Sequence, residues 1–290
     1  MCCVVKATTR VTGVLGYPVR HSRSPAMHNA AFRALGLDVV YVPFEVHPDD
    51  LEMAIKGVRA LGLLGVNLTI PHKEKVAKFL DWIDEEATRI GSVNTVYNVD
   101  GELRGYSTDG RGFIRALEAA GKSLKGSRAV ILGAGGAARA TAYALAQHGA
   151  SVTIANRTFS RALELAESLN PVIEGEIKAV SLNGESARKA ISAADLLVNC
   201  TSVGMYPNVD EQPIPSEWLH PNLFVYDQIY NPLETRLLRA AKRSGAQTAN
   251  GVGMLVYQGA ISFEIWTGQS PPLAVMEKAV LGIETNSVDD

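Results

Sequence analysis

A short run, Arg128 to Leu132, apolar after its first residue, ends in Gly133-Ala134-Gly135-Gly136-Ala137-Ala138, and alanine-rich sequence follows as far as His148. No other stretch restricts the fold so tightly. Gly133 permits a sharp turn after a buried strand. Gly135 lets the backbone approach a pyrophosphate, and Ala138 takes the third position, where only a small side chain allows a helix close to its sheet. The start of that helix offers free N–H groups to phosphate oxygens. Strand, turn and helix in this order predict a parallel sheet with right-handed crossovers. They also predict a dinucleotide site at Gly133, Ala134, Gly135, Gly136 and Ala137, against a competing reading of tight packing alone.

The end of the next strand, Ser151 to Ala155, bears on which dinucleotide. Enzymes that take NAD usually place an acid there for the ribose hydroxyls. This chain has Asn156-Arg157-Thr158 and then Arg161. No carboxylate repels a 2′-phosphate, and two guanidiniums can hold one by charge-assisted hydrogen bonds. NADP is the expected cofactor; the bland alternative is a solvated helix start with ordinary surface arginines.

The same alternation runs through the rest of the chain. Val11 to Gly16, Val39 to Phe44 and Val66 to Ile70 read as short buried strands. Ser24 caps a first helix, with Pro25 at its first position and Gly36 at its close. Further helices are expected from Pro48 to Ala60 and from Pro71. A helix from Gly110 to Ala120 leads out of this unit. Leu196 to Cys200 and Leu223 to Asp227 read as later strands, and helices run from Met254 to Trp266 and beyond Pro271-Pro272. The expectation is an α/β fold of two domains, for which 290 residues are ample. Residues 1–111 form the first domain with a mainly parallel sheet, 112–250 a Rossmann-like domain, and 251–290 helices that return to the first.

Bulk properties exclude several classes. A formal charge of -2 and 20% charged residues leave no basic stripe for nucleic acid. No apolar run is long enough to span a bilayer. The cysteines, Cys2, Cys3 and Cys200, have no framework spacing and no histidine cluster beside them, so neither disulfides nor a metal site is expected. Met1 to Arg10 lacks the charged-then-apolar order of a signal peptide. A cytoplasmic setting is the default expectation.

Polar residues crowd three segments of the first unit. In Gly16 to Asn29, Ser22 and Ser24 stand at a helix start, where an anion such as a carboxylate is favoured. His21 and His28 are candidates for catalysis, though a histidine beside a cap is more often structural. In Gly65 to Lys73, Asn67 and Thr69 alternate with apolar neighbours and so share one strand face. Lys73 falls in the first turn of the expected helix, where the dipole is positive and favours the neutral amine. In the third segment Asn94 can both donate to and accept from a ring hydroxyl. Asp109 stands where the domains meet; by itself it could equally be a turn-forming Asp before Gly110.

Together these pieces resemble the shikimate dehydrogenase (shikimate/quinate dehydrogenase) family along nearly the whole chain. They are HSRSP at His21 to Pro25, GVNLTIPHK at Gly65 to Lys73, SVNT at Ser92 to Thr95 and STDG at Ser107 to Gly110. GAGGAARA at Gly133 to Ala140, NRT at Asn156 to Thr158, NCTSVGM at Asn199 to Met205, Asp227 to Pro232, and GVGMLVYQGA at Gly251 to Ala260 complete the series. The resemblance implies an NADPH-dependent, reversible reduction of 3-dehydroshikimate to shikimate, in aromatic amino acid biosynthesis. It implies a catalytic dyad at Lys73 and Asp109. Substrate would be bound by Ser22, Ser24, Thr69, Asn94, Tyr230 and Gln258, with Asn67 lining the same site. The phosphate loop, Asn156, Arg157, Thr158, Arg161 and Thr201 would bind the cofactor, with Gln228 and Gly251 near its nicotinamide. Partners are small molecules alone, and the assembly a homodimer or a monomer. Ser92 stands where the family often has Ala, and Gln228 where a larger apolar residue often meets the cofactor. A quinate or dual-specificity enzyme using NAD or NADP is the alternative reading, and a non-catalytic shikimate sensor a remote one.

Overall fold

The first strand, β1 (Arg10–Gly16), is buried from Thr12 onward, as expected of a strand covered on both faces. It is followed by α1 (Ser24–Ala34), β2 (Val39–Glu45), α2 (Leu51–Ala60) and β3 (Gly65–Leu68). Then come β4 (Trp82–Ile83), α3 (Glu85–Ile90), β5 (Thr95–Val99) and β6 (Glu102–Tyr106). The sheet runs β2-β1-β3-β5-β6-β4. β1 pairs in parallel with β2 on one side and β3 on the other. β1 and β3 therefore end on the same side of the sheet, and the carboxyl ends of parallel strands are where such sheets bind ligands. β5 returns antiparallel to β3 and forms a hairpin with β6. Its two-residue turn is Asp100-Gly101, both at positive φ (51° and 94°), the geometry that Asp-Gly favours between strands. The computed structural model describes residues 5–283; Cys2, Cys3 and the polar 287–290 lie outside them.

The second sheet is built from α4 (Asp109–Ala119), β7 (Arg128–Leu132), α5 (Gly136–Gln147), β8 (Ser151–Asn156), α6 (Phe159–Leu169) and β9 (Ile177–Ser181). It continues through α7 (Glu185–Ser192), β10 (Leu196–Asn199), β11 (Phe224–Asp227), α8 (Arg236–Arg243) and β12 (Gln247–Ala249). Its order is β12-β11-β10-β7-β8-β9, with every pair parallel. The strand order reverses between β7 and β10, which marks the ligand crevice of a doubly wound fold. Two helices remain, α9 (Val252–Thr267) and α10 (Leu273–Leu281).

The chain divides into two compact units. The first holds residues up to Thr108 together with those from Leu255 on; the second is Asp109–Met254. Helix α9 thus begins in the second unit and ends in the first, where α10 packs on α1. No helix among the described residues is long and apolar enough to cross a membrane.

Two local expectations need correction. Pro71 does not start an α-helix: 71–75 are turn residues, followed by a 3-10 turn at Val76–Phe79. One carbonyl that a helix would use is taken elsewhere: Lys73 O accepts from Val93 N at 2.9 Å. The helix dipole invoked at Lys73 is therefore absent. Ser24 does not cap α1 either; it is the first helical residue, and Arg23 precedes it without a side-chain cap bond.

Candidate active site

In the first unit the polar residues gather at the carboxyl ends of β1 and β3. Gly16 ends β1, and a Cβ there would lie 2.3 Å from Thr69 Cγ2. Only a bare Cα lets the end of β3 come this close. Thr69 N donates to Leu15 O at 2.9 Å, and Tyr17 N to Ile70 O at 3.0 Å, so the two loops leave side by side. The loop after β1 carries Ser22, whose Oγ accepts from Ser24 N at 3.3 Å. Arg23 donates to Val280 O on α10, tying the serine loop down.

Lys73 lies on the loop after β3 and is half-buried. Its neighbour His72 is fully buried, with Nε2 2.9 Å from Val46 O. Burial holds the His72 imidazole below its ordinary pKa, so the ring stays neutral and can donate to that carbonyl. Lys73 is in this way fixed from both sides, by His72 on the end of β2 and by Val93 ahead of β5.

Asn94 precedes β5 at the same sheet edge. Its Oδ1 accepts from Thr108 N at 2.7 Å, and its Nδ2 donates to Thr108 Oγ1 at 2.8 Å and to Gln258 Oε1 at 3.2 Å. Asn67 on β3 accepts from Tyr41 Oη at 2.8 Å and donates to Asn94 O, Thr95 Oγ1 and Ser262 Oγ. Asn67, Asn94 and Gln258 thus form one buried polar cluster. Tyr41, Thr95, Thr108 and Ser262 belong to it too; Thr95 and Thr108 fall within the SVNT and STDG stretches, whereas Tyr41 and Ser262 are marked by no local sequence pattern. His28 is stacked on Tyr41, ring centroids 4.5 Å apart, with neither nitrogen hydrogen-bonded; burial pushes its pKa down to about 3. It is a packed wall of this unit. His21, by contrast, is exposed.

In the second unit the glycine-rich turn lies at the carboxyl end of β7, beside the end of β10. Gly133 has φ +106°, and a Cβ would meet Thr201 Cγ2 at 3.0 Å. Gly135 precedes α5 with no side-chain cap, which leaves the first-turn N–H groups to an anion. Ala134, Gly136 and Ala137 are half-buried around it, and Ala138 is fully buried. At the end of β8, Asn156 donates to Thr158 O at 2.9 Å and shapes the loop. Arg157 and Arg161 are exposed and form no ion pair with any described residue. A glycine-rich turn, an uncapped helix start and two guanidiniums without an ion pair to any described residue suit a phosphorylated dinucleotide.

Asp109 opens α4 and is buried, an acid in the first turn of the helix. α4 is pressed onto α5, since a Cβ on Gly110 would stand 3.0 Å from Ala140 O. After β11, Gln228 donates to Thr141 Oγ1 at 2.7 Å and so is engaged with α5. A Cβ on Gly251 would lie 2.0 Å from Gln228 O, which only glycine avoids. Tyr230 is half-buried in the loop beyond. Thr201 is held by Asn199 Oδ1, to which its hydroxyl donates at 2.7 Å. The fully buried Asp227 accepts from Asn199, Ile229 N and Thr235, yet burial pushes its carboxyl up to about 6.

Comparison with known proteins finds matches along most of the chain. Residues 14–96 match the family model of the shikimate dehydrogenase substrate binding domain, 115–209 that of shikimate / quinate 5-dehydrogenase, and 251–281 that of the shikimate 5′-dehydrogenase C-terminal domain. A Moorella thermoacetica protein named shikimate dehydrogenase (NADP(+)) is 50% identical over 277 residues, 95% of this chain and 94% of that one. The chain belongs to the shikimate dehydrogenase family. A solved shikimate dehydrogenase in complex with NADP+ superposes with a TM-score of 0.89 at 45% identity, covering 98% of both chains. The shikimate 5-dehydrogenase of Thermus thermophilus, solved with NADP(H) and shikimate, gives 0.85 at 44% identity over 95% of this chain and 100% of that one. Membership in the shikimate dehydrogenase family fits the two crevices: a polar one on a mixed sheet and a phosphate-binding one on a doubly wound sheet.

Proposed function

We propose that this chain catalyses the reversible, NADPH-dependent reduction of 3-dehydroshikimate to shikimate, a step of aromatic amino acid biosynthesis in the cytoplasm. The observation that carries this is the edge of the first sheet, where Thr69, Lys73, Asn94 and Gln258 stand with Ser22 and Ser24, in a chain half identical to NADP-dependent shikimate dehydrogenases over its length.

Bound NADPH supplies the hydride. Lys73 donates the proton to the ketone oxygen as negative charge builds there, and in the reverse direction its neutral amine takes the hydroxyl proton. Asp109 is the partner that would orient Lys73. Ser22 and Ser24 hold the carboxylate, so that the reacting carbon is presented in a fixed pose. Thr69, Asn94, Tyr230 and Gln258 take the ring hydroxyls. Gly133 to Ala137 cradle the pyrophosphate, Asn156, Arg157, Thr158 and Arg161 hold the 2′-phosphate end, and Thr201, Gln228 and Gly251 border the nicotinamide.

The test is the absorbance of the reduced nicotinamide with shikimate or quinate, each with NADP or NAD. Shikimate with NADP is expected to be fastest; a preference for quinate with NAD overturns the substrate and cofactor assignment. Lys73→Ala is expected to lower kcat by roughly 10²–10⁴ with little change in KM. Near-normal turnover would remove Lys73 from the chemistry.

A further inference from the structure

We infer that Ser262, midway along α9, is a positioning residue of the substrate site: its buried hydroxyl sets the donor that Gln258 offers to substrate, and it holds the Asn67 amide in the buried network. This rests on the reading of the site given above.

Helix α9 is clamped to the first unit at three levels. Near its end, Trp266 Nε1 donates to Val96 O at 3.0 Å, passing over Gly65, where a Cβ would lie 2.5 Å from that nitrogen. One turn before Ser262, α9 presents Gly259, and a Cβ there would stand 2.2 Å from Met27 Cε on α1. Between them is Ser262, fully buried. Its Oγ reaches Gln258 O (3.0 Å), Asn67 Nδ2 (3.1 Å), Thr95 Oγ1 (2.7 Å) and Thr108 Oγ1 (3.4 Å).

Counting protons assigns the directions. A carbonyl can only accept and an amide nitrogen can only donate. Ser262 can thus give its proton to Gln258 O and accept from Asn67, while either hydroxyl can donate in its contact with Thr95. Asn67 is equally constrained. Its nitrogen must face Asn94 O at 3.1 Å, an acceptor without hydrogens, so its Oδ1 faces Tyr41. Both amide hydrogens of Asn67 are then spent among Asn94 O, Thr95 Oγ1 and Ser262 Oγ. None is left to donate to a ligand. Gln258 is different: Oε1 accepts from Asn94, Nε2 gives one hydrogen to Leu255 O at 2.8 Å, and the second hydrogen has no partner among the described residues. That hydrogen is the donor available to a substrate oxygen. Its aim is set by the backbone of Gln258, which Ser262 holds, and by Asn94. A buried network of this kind restricts the geometry of its members, and loss of one leaves buried groups unpaired.

The test is a kinetic double-mutant cycle with shikimate and NADP. Ser262→Ala is expected to raise KM for shikimate roughly tenfold, with KM for NADP unchanged and kcat little altered. In a Gln258→Ala background the same substitution should change KM for shikimate less than twofold, because the group it aims is gone. Additive losses, or an unchanged KM for shikimate in the single variant, overturn the positioning role. Should Ser262→Ala fail to fold, Thr95→Val removes the same hydroxyl contact with nearly the same volume. It must then raise KM for shikimate likewise, and an unchanged KM refutes the inference. The wild-type rate separates the two levels: no turnover of shikimate with NADP sinks the functional reading and this inference with it, whereas additivity in an active enzyme sinks only the latter.

Discussion

His28 and Asp227 are buried titratable side chains whose pH dependences oppose each other. Burial lowers the His28 pKa from 6.5 to about 3, so on acidification the unfolded chain takes up this proton before the folded one. Stability from His28 is present above about pH 6.5 and lost as pH falls. Asp227 is raised from 3.8 to about 6, so the folded molecule keeps a proton that the unfolded chain has released. Its contribution is complete below about pH 4 and lost as pH rises through about 6. Between about pH 4 and 6 each changes stability by about 1.4 kcal/mol per pH unit with opposite sign, and the two cancel. His28→Leu should therefore gain stability over wild type by about that slope as pH is lowered from 6 to 4, and Asp227→Asn should lose it. Urea midpoints across this range read both; pH-independent differences would place the two titrations elsewhere. A different residue-scale expectation concerns Arg157. Its guanidinium has no ion partner among the described residues and stands where an NAD enzyme would carry an acid. Arg157→Ala should weaken NADPH by roughly 10–100-fold and NADH much less. Equal losses in a binding titration would show that it does not read the 2′-phosphate.

At the scale of elements, glycine spacing decides how closely α9 meets its sheet. A Cβ on Gly65 would lie 2.3 Å from Val96 O and 2.5 Å from Trp266 Nε1, both held by the bond that joins them. Gly65→Ala should cost about 1–3 kcal/mol or more and visibly lower Tm. Gly57, inside α2 with nothing within 4 Å of its Cβ position, should instead gain about 0.5–1 kcal/mol when changed to Ala. An equal response at both glycines would discount the close approach. Sequence patterns expose the elements whose signals are local. The strands before Gly16 and Gly133 and the helix after Gly135 are bounded by residues that leave the backbone little choice. Two further elements carry local signals yet fall outside the expected series: the β5–β6 hairpin, marked by Asp100-Gly101, and α3, marked by Asp84, which accepts from Ala87 N, and by Gly91 at φ 70°. The turn at 71–75 is not legible, because what prevents a helix there is a competing donor, Val93 N, arriving from another loop. Ser262 is invisible for the same reason: its partner Asn67 lies 195 residues away.

At the scale of the whole molecule, the two units differ in how the chain supplies them. The second is one continuous segment, Asp109–Met254, whose strands pair only with one another. The first draws on both ends of the chain, and its interior is incomplete without the C-terminal part. Trp266 donates to Val96 O, Ser262 completes the bonds of Asn67, Phe263 stacks on Phe32, and α10 packs on α1 and receives Arg23. Without these residues, Asn67 loses acceptors and the apolar faces of α1 and the sheet lose their cover, at a cost comparable to the few kcal/mol that hold a domain of this size. A fragment of residues 109–254 is therefore expected to melt cooperatively and to bind NADPH. A fragment of 1–108 should lack fixed tertiary packing, seen as weak near-ultraviolet dichroism and a broad melt. Joining 255–290 to 1–108 through a flexible linker should restore a sharp transition and binding of shikimate. Cooperative melting of 1–108 alone would mean that the C-terminal helices cover a core already complete without them.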